Sequence, residues 1–174
     1  MEPQILTQRL RLRPFSTSDA EAFAKMNSHP EVMADLGGPL VREASDAKLE
    51  RYITAFSERG YGRWAIENWD REFLGYAGIM HRSGDHPLGE HDEIGWRLCR
   101  EVWGFGYASE AARAALKDGF ERSRLTIVYS YTAADNERSK AVMDRIGLRR
   151  KPALDFRAEY DPIGTWQGLV WIAE

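Results

Sequence analysis

Two glycines separated by one residue, Gly104 and Gly106, stand just before a predicted helix that begins near Ala108. Glycine allows backbone conformations that other residues avoid and lets the chain approach a ligand closely. The first amides of a helix have no acceptor within the helix and carry the positive end of its dipole. This turn is therefore suited to bind a phosphate or diphosphate. The alternative is that the glycines serve the geometry of the turn alone.

Two other nucleotide-binding patterns do not fit this turn. A Rossmann site has Gly-x-Gly-x-x-Gly early in a βαβ unit. Here Ser109 occupies the third glycine position, and the turn follows several predicted strands. A Walker loop needs Gly-Lys-Ser or Gly-Lys-Thr, and neither string occurs in the sequence.

A second motif lies about 30 residues further on, around Ser139. Ser139, Val142, Met143 and Ile146 have the spacing of residues that share one helix face, so the hydroxyl is predicted to point inward with apolar neighbours. Asn136 is the predicted N-cap of this helix. An inward hydroxyl at this place could bind a ligand. Alternatively, it bonds to a carbonyl of the preceding turn.

The segments around these motifs predict a mixed α/β (α+β) sheet with helices on its faces. Apolar alternation and short apolar runs indicate strands over residues 5–13, 62–67, 73–81, 93–99, 125–131 and 169–173. Helical spacing of apolar residues indicates helices near residues 17–26 and over 45–59, 108–122 and 136–146. No repeat, linker or low-complexity segment divides the sequence, which predicts one domain over residues 1–174.

Composition limits the class of protein. The chain has 174 residues, of which 43% are hydrophobic and 29% charged, as in a soluble globular domain. It has no apolar run near the ~20 residues of a membrane span and no secretory signal pattern. The single cysteine, Cys99, excludes an internal disulfide and favours the cytoplasm. A net charge of −3 argues against nucleic-acid binding and is compatible with a cationic amine substrate.

Four segments together resemble the GNAT N-acetyltransferase superfamily, and within it the branch of the ribosomal-protein alanine and serine N-acetyltransferases. They are TQRLRLRPF at residues 7–15, EIGWRL at 93–98, WGFGYASEA at 103–111 and DNERSKAVMDRIGL at 135–148. The resemblance implies a splayed, mostly antiparallel mixed sheet. Acetyl-CoA would lie between two parallel strands that part, here residues 93–99 and 125–131.

The resemblance also assigns cofactor contacts. The turn amides would hold the diphosphate, the strand backbone would bind the pantetheine arm and the acetyl carbonyl, and no metal is implied. Glu101 stands where the family has Gln or Arg, and we expect the backbone amides to suffice without that side chain. The implied cofactor-binding residues are Trp96, Arg97, Leu98, Val102, Trp103, Gly104, Phe105, Gly106, Tyr107, Ala108, Asn136 and Ser139.

The activity implied is direct transfer of acetyl from acetyl-CoA to a primary amine in a ternary complex. Such transfer needs a neutral amine, a stabilised carbonyl oxygen and a hydrogen bond or proton for the leaving thiolate. Ser139 is the predicted donor to the thiolate, because the helix lacks the tyrosine that many family members carry. Glu93 and Glu159 are the candidate bases, and each is alternatively a solvated surface residue.

We expect the acceptor to be an N-terminal α-amino group of a protein or peptide. A small amine, such as a polyamine, an antibiotic or an amino acid, stays an alternative, as does a non-catalytic acyl-CoA-binding regulatory module. The acceptor would be bound by loops 27–45, 83–91 and 152–166. Both a monomer and a homodimer are compatible with the sequence.

Three further residue types have other predicted roles. Cys99 is interpreted as a small buried residue and not as an acyl carrier. His81, His86 and His91 cluster in sequence, but their spacing fits no standard zinc site. Most tryptophans are expected in the core, and one or two in the acceptor pocket.

Overall fold

A computed structural model describes residues 3–160 and 164–174. The strands of this part are β1 (Ile5–Leu6), β2 (Arg11–Arg13), β3 (Arg63–Glu67), β4 (Phe73–Arg82), β5 (His91–Leu98), β6 (Val128–Thr132), β7 (Arg149–Arg150), β8 (Phe156–Tyr160) and β9 (Gly164–Ala173). The α-helices are α1 (Ala20–Asn27), α2 (Pro30–Met33), α3 (Arg42–Arg59), α4 (Tyr107–Glu121) and α5 (Glu137–Arg145). None of these helices combines the length and apolar character needed to cross a membrane.

The strands form an open sheet in the order β1-β2-β3-β4-β5-β6-β9-β7, and β8 pairs with β9. Neighbours are antiparallel except β5 and β6, which run parallel. β5 and β6 share a single residue pair, Glu93 with Tyr129. In contrast, β4 and β5 are paired along their length, from Arg82 with His91 to Gly75 with Leu98. The predicted mixed, mostly antiparallel and splayed sheet is confirmed.

Each face of the sheet is covered by a different kind of packing. On one face, α4 buries its alanine stripe, Ala111, Ala112 and Ala115, and small side chains let the helix lie close to the strands. On the other face, α1 and α3 pack aromatic rings against β4. The rings of Phe23 and Tyr76 are 6.1 Å apart, and those of Tyr52 and Tyr76 are 5.3 Å apart.

Several element boundaries differ from the sequence-based predictions. Residues 5–13 form a hairpin and not one strand, because Thr7 N donates to Leu10 O at 2.9 Å and closes a turn. The strand expected from residue 125 begins at Val128. Arg124 has a φ of 57°, and Leu125 N donates to Gly119 O, which keeps these residues at the end of α4. The short elements α2, β7 and β8 have no clear periodicity and were not predicted.

The close approach of β4 to β5 requires a glycine at residue 75. Its φ is +139°, and a Cβ added there would lie 2.2 Å from Arg97 O. A backbone atom cannot move aside as a flexible side chain can. We therefore expect Gly75→Ala to lower the free energy of unfolding by roughly 3 kcal/mol, measured by chemical denaturation.

Gly84→Ala is the matched control for this substitution. Gly84 has a φ of +87°, but nothing lies within 4 Å of an added Cβ. Only backbone strain is introduced there, and the expected loss is about 1 kcal/mol. Equal losses in the two variants would contradict a steric role for Gly75.

Candidate active site

A cleft of about 1210 Å³ lies where β5 and β6 part. Every residue predicted to bind the cofactor lines this cleft, from Trp96 on β5 through the glycine turn to Ser139 on α5. Glu101 is exposed and does not line it. The structure therefore brings the glycine turn, the start of α5 and the end of β5 to the lining of one cavity.

The glycine turn presents a run of free amides to the cleft. Gly104 and Gly106 have φ values of 86° and 80°, which only glycine adopts readily. Trp103 N donates to Arg100 O and Glu110 N donates to Gly106 O. Between them, the N–H groups of residues 104–109 have no hydrogen-bond acceptor in the described part of the chain. Consecutive free amides at the start of a helix form an anion-binding concavity.

Ser109, in the first turn of α4, was not predicted as a site residue. Its residue exposure is 7%, it lines the cleft, and its Oγ has no hydrogen-bond partner among the described residues. A buried hydroxyl without a partner is costly, and here it stands beside the free amides. Its position after the glycine turn was the one sequence signal that could have identified it.

The backbone of β5 faces the gap between the parting strands. Cys99 N donates to Leu74 O at 2.9 Å, so Leu98 and Gly75 are a pair without hydrogen bonds between them. Leu98 therefore turns its N–H and C=O away from β4, and so does Trp96 two residues earlier. Leu98 O accepts a hydrogen bond from Trp103 Nε1 at 3.0 Å. The backbone of Trp96 faces the gap beyond the point where β6 pairs.

The start of α5 forms the opposite wall. Asn136 caps the helix, as predicted, because its Oδ1 accepts a hydrogen bond from Ser139 N at 3.1 Å. The Ser139 hydroxyl makes no hydrogen bond in the described part of the chain, which sets aside the alternative that it bonds to the preceding turn. Ser139 is half-buried and lines the cleft. Its hydroxyl is therefore available to a ligand.

Asp35 joins the two walls at one end of the cleft. Its carboxylate accepts hydrogen bonds from Arg97 Nη1 and Nη2 at 2.7 and 3.1 Å, and from Asn136 Nδ2 at 3.4 Å. The guanidinium of the predicted site residue Arg97 is therefore bound by Asp35 within the lining of the cleft. Asp35 lies in a short 3₁₀ turn, residues 34–36, whose sequence has no signal for this role.

Glu93 lies at the vertex where β5 and β6 separate, and it does not line the cleft. It is 6% exposed and paired with Arg63 and with Arg82 Nη2, the latter at 2.8 Å. Burial raises the pKa of Glu93, but the two guanidinium groups more than offset this, and its pKa lies below the ordinary value. The carboxylate is therefore held ionised by fixed partners.

Glu159 is exposed on β8 and accepts a hydrogen bond from Thr165 Oγ1 at 2.5 Å. It lines a separate hollow of about 430 Å³ with Arg82, Asp85 and His86. Ser139, Glu93 and Glu159 thus do not line one common cavity: Ser139 lines the cleft, Glu159 lines the hollow, and Glu93 lines neither. Of the predicted acceptor loops, 27–45 contributes to the cleft and 83–91 to the hollow; part of 152–166, residues 161–163, lies outside the described residues.

The surroundings of Cys99 and His86 shift their pKa values away from neutral pH. Burial, followed by the charge of Glu101, raises the pKa of Cys99 to about 11, so its thiolate is scarce at neutral pH. Burial, followed by the proximity of His91, lowers the pKa of His86 to about 4. Its ring lies 4.6 Å from that of His91 and 4.9 Å from that of Phe156. In the described residues, no group of three or more His, Cys, Asp or Glu side chains is placed to hold a metal ion.

The tryptophans divide between the core, the surface and the cleft. Trp64 and Trp171 are in the core and Trp69 is exposed, whereas Trp96, Trp103 and Trp166 line the cleft. Two guanidinium groups contact the ring of Trp103, with Arg138 Cζ at 4.0 Å and Arg100 Cζ at 4.7 Å from its centroid. Such contacts fix the ring at the edge of the glycine turn.

A model of the acetyltransferase (GNAT) domain matches residues 9–149 of this sequence. The chain belongs to the GNAT family. This match confirms the family inferred from the four sequence segments. The chain is an N-acetyltransferase, as are proteins named among its relatives, and GNAT enzymes use acetyl-CoA.

Similar proteins come from bacteria and fungi. The uncharacterized N-acetyltransferase YoaA of Bacillus subtilis is 28% identical over 157 residues, which cover 88% of this chain and 87% of that protein. The FsC-acetyl coenzyme A-N(2)-transacetylase of Aspergillus fumigatus is 30% identical over 176 residues, covering 97% of this chain and 74% of that protein.

A solved structure of RimL, a ribosomal L7/L12 α-N-protein acetyltransferase in complex with coenzyme A, superposes on this GNAT chain with a TM-score of 0.77. The match covers 98% of this chain and 97% of that one, with 19% sequence identity. At this identity the likeness shows a shared fold.

The pairing of Glu93 predicts a pH-dependent stability. Glu93→Gln leaves Arg63 buried without its carboxylate partner, and we expect the free energy of unfolding at pH 7 to fall by about 3 kcal/mol. Because the folded-state pKa of Glu93 is lowered, its contribution is complete above the ordinary pKa of 4.5 and is lost as the pH falls below it. Urea denaturation from pH 7 to pH 3 measures the difference.

Glu121→Gln is the control, because Glu121 forms an exposed pair with Lys117 at 3.9 Å. Exposed pairs contribute little, so this variant should track the parent protein at every pH. A Glu93→Gln deficit that stays constant down to pH 3 would contradict ionised Glu93 as its source.

Proposed function

We propose that this cleft binds acetyl-CoA, with its diphosphate on the amides of residues 104–109, and that the chain transfers the acetyl group to an N-terminal α-amino group of a protein or peptide. The observation that carries the proposal is the run of free amides beside strands that part. The first amides of any helix have no partner within the helix, and here the glycine turn and the parting strands direct further backbone donors to the same cleft. A ligand with acceptors along its length satisfies them.

The residues present fit coenzyme A along the cleft. The free amides and the unpartnered Ser109 hydroxyl suit the diphosphate oxygens. The amides of the pantetheine arm could bond to the backbone of Trp96 in the way that a neighbouring strand bonds to β5. The Ser139 hydroxyl lines the same cleft and would meet the thioester end of the bound cosubstrate. The cosubstrate supplies the activated acetyl group, and the chain supplies binding and orientation.

Two groups of this chain are suited to assist the transfer. A β5 amide facing the gap, at Trp96 or Leu98, can donate to the acetyl oxygen as negative charge develops there. The Ser139 hydroxyl can donate a hydrogen bond to the departing sulfur. The β5 amide is held in place by the pairing of β5 with β4, so little backbone reorganisation accompanies the reaction.

Glu93 and Glu159 are the candidate bases for the attacking amine. Glu93 is held by two guanidinium groups, and a carboxylate so held accepts a proton poorly. Glu159 is exposed but lines the separate hollow. As bases, Glu93 and Glu159 stay predictions, and Ser139 keeps the separate role of donor to the departing sulfur.

The acceptor assignment is supported by fold and not by charge. Glu31 and Asp35 line the cleft, but they are paired with Arg100 and Arg97 respectively. The likeness in fold to a protein α-N-acetyltransferase supports a chain N-terminus as the acceptor. A small amine is the alternative outcome of the test.

Calorimetry with acetyl-CoA, CoA, NAD and ATP tests the cofactor. We expect saturable binding of acetyl-CoA and CoA and none of NAD. Release of free thiol is then measured with an amine panel that contains peptides starting with Ala or Ser, a polyamine, an aminoglycoside and free amino acids. Turnover restricted to the peptides would support the proposal. Turnover restricted to small amines would contradict the acceptor, and no acetyl-CoA binding would contradict the whole assignment.

Ser139→Ala tests the role of the hydroxyl. We expect kcat to fall by about tenfold to a hundredfold, because the leaving thiolate loses a donor, with little change in acetyl-CoA affinity. Steady-state kinetics and calorimetry measure the two quantities. Ser57→Ala is the control, because Ser57 Oγ donates to Thr54 O on exposed α3. Full activity of Ser139→Ala would remove this residue from the mechanism.

A further inference from the structure

The tip of the N-terminal hairpin is attached to the first turn of α4. Glu110 Oε1 accepts hydrogen bonds from Thr7 Oγ1 at 2.7 Å and from Arg9 N at 2.9 Å. Glu110 Oε2 accepts from Arg9 Nε at 2.7 Å and lies 2.6 Å from Arg9 Nη2. Two matching segments that are about 100 residues apart in sequence, 7–15 and 103–111, therefore meet at one carboxylate.

Arg9 also binds the glycine turn itself. Its Nη1 donates to Phe105 O at 2.9 Å. Phe105 O and Gly106 N–H belong to one peptide plane, and in a trans peptide these groups point in opposite directions. Arg9 does not line the cleft, whereas Gly106 does. By holding the carbonyl on its own side, Arg9 turns the Gly106 N–H toward the cleft.

A ring contact reinforces this orientation. Arg9 Cζ lies 4.6 Å from the centroid of the Tyr107 ring, and Phe105 stacks against Tyr107 with centroids 5.8 Å apart. The guanidinium thus touches residues 105 and 107 on both sides of Gly106. Without it, Gly106 is free to rotate its peptide planes, since glycine has few steric limits.

Arg9 also balances charge at this helix end. Glu110 is an acidic residue in the first turn of α4, close to amides that the proposed diphosphate would occupy. Burial raises the pKa of Glu110, but the hydrogen bonds from Thr7 and Arg9 more than offset this, so its pKa lies below the ordinary value. An ionised carboxylate there repels an anionic ligand unless a cation accompanies it. Arg9 is that cation.

We propose that Arg9 is a positioning residue for coenzyme A: it acts from outside the cleft by fixing the Phe105–Gly106 peptide so that its N–H faces the diphosphate. This inference rests on the proposed function, because it assumes that the diphosphate lies on residues 104–109. Arg9 touches the turn and not the ligand. Its effect is therefore specific to the diphosphate part of the cosubstrate.

Arg9→Gln is the principal test. Calorimetry with CoA and with dephospho-CoA, which lacks only the 3′-phosphate, should show about a tenfold loss of affinity for both, as expected for one charge-assisted hydrogen bond. Kinetics should show a raised KM for acetyl-CoA, unchanged kcat, and an unchanged kcat/KM for acetyl-pantetheine, which has no diphosphate. Arg9→Lys should recover part of the affinity, because it keeps the charge but loses the bidentate geometry.

Arg122→Gln is the matched control at the other end of α4. Arg122 pairs with Asp118 at 2.7 Å and donates to Gly60 O at 2.7 Å, so its substitution removes a comparable set of contacts away from the cleft. It should leave cofactor affinity unchanged. If Arg9→Gln does not fold, Arg9→Lys, which keeps the charge, is measured against the parent with the same ligands and should weaken both CoA and dephospho-CoA.

The outcomes separate this inference from the proposed function. A parent protein that does not bind CoA would contradict the proposed function. A parent that binds CoA, with Arg9→Gln binding equally well, would overturn the positioning role alone. If Arg9→Gln lost affinity for CoA but not for dephospho-CoA, Arg9 would be in direct contact with the 3′-phosphate. A loss of acetyl-pantetheine turnover as large as that with acetyl-CoA would show a general structural effect, and either result would also overturn the positioning role.

Discussion

The separation of β5 from β6 is the constraint on which the rest of this fold depends. Inside a sheet, neighbouring strands normally satisfy each other's backbone groups along their length. Here one pair, Glu93 with Tyr129, joins the strands before they part. The gap leaves the backbone of Trp96 facing a cavity, and the glycine turn that follows β5 continues this line of unpaired donors. The cleft therefore results from the interrupted hydrogen bonding between β5 and β6.

Such a gap needs reinforcement from both faces of the sheet. At its vertex, the buried carboxylate of Glu93 holds Arg63 on β3 and Arg82 on β4, and so ties the strands together where pairing ends. At its open end, Asp35 contacts Arg97 on one wall and Asn136 on the other. On the far side of the turn, Arg9 and Glu110 anchor the N-terminal hairpin to α4. Three sets of charged contacts thus surround a cleft whose own donors are free.

Much of this architecture was predictable because local patterns dominate long elements. The alanine stripe of α4 and the inward spacing of Ser139, Val142 and Met143 indicated both helices and their buried faces. Two motifs were also predictable because their roles depend only on nearby residues. The glycine turn uses its own backbone, and Asn136 caps the helix that follows it. The continuous strand expected over residues 5–13 was wrong, because one hydrogen-bonded turn at Thr7 interrupts a regular apolar alternation.

The sequence by itself indicated the order of the main elements, since this follows from periodicity and turn chemistry. Its four matching segments indicated the family, and that resemblance implied many of the residues that line the cleft. Only the tertiary structure decided how charged residues are used. Glu93 is paired inside the sheet, Glu159 lies at a separate hollow, and Asp35 and Arg9 act on residues distant in sequence. The physical reason is that a charge is governed by its partners in space. Those partners are brought together by strand register and helix packing, which no local pattern encodes.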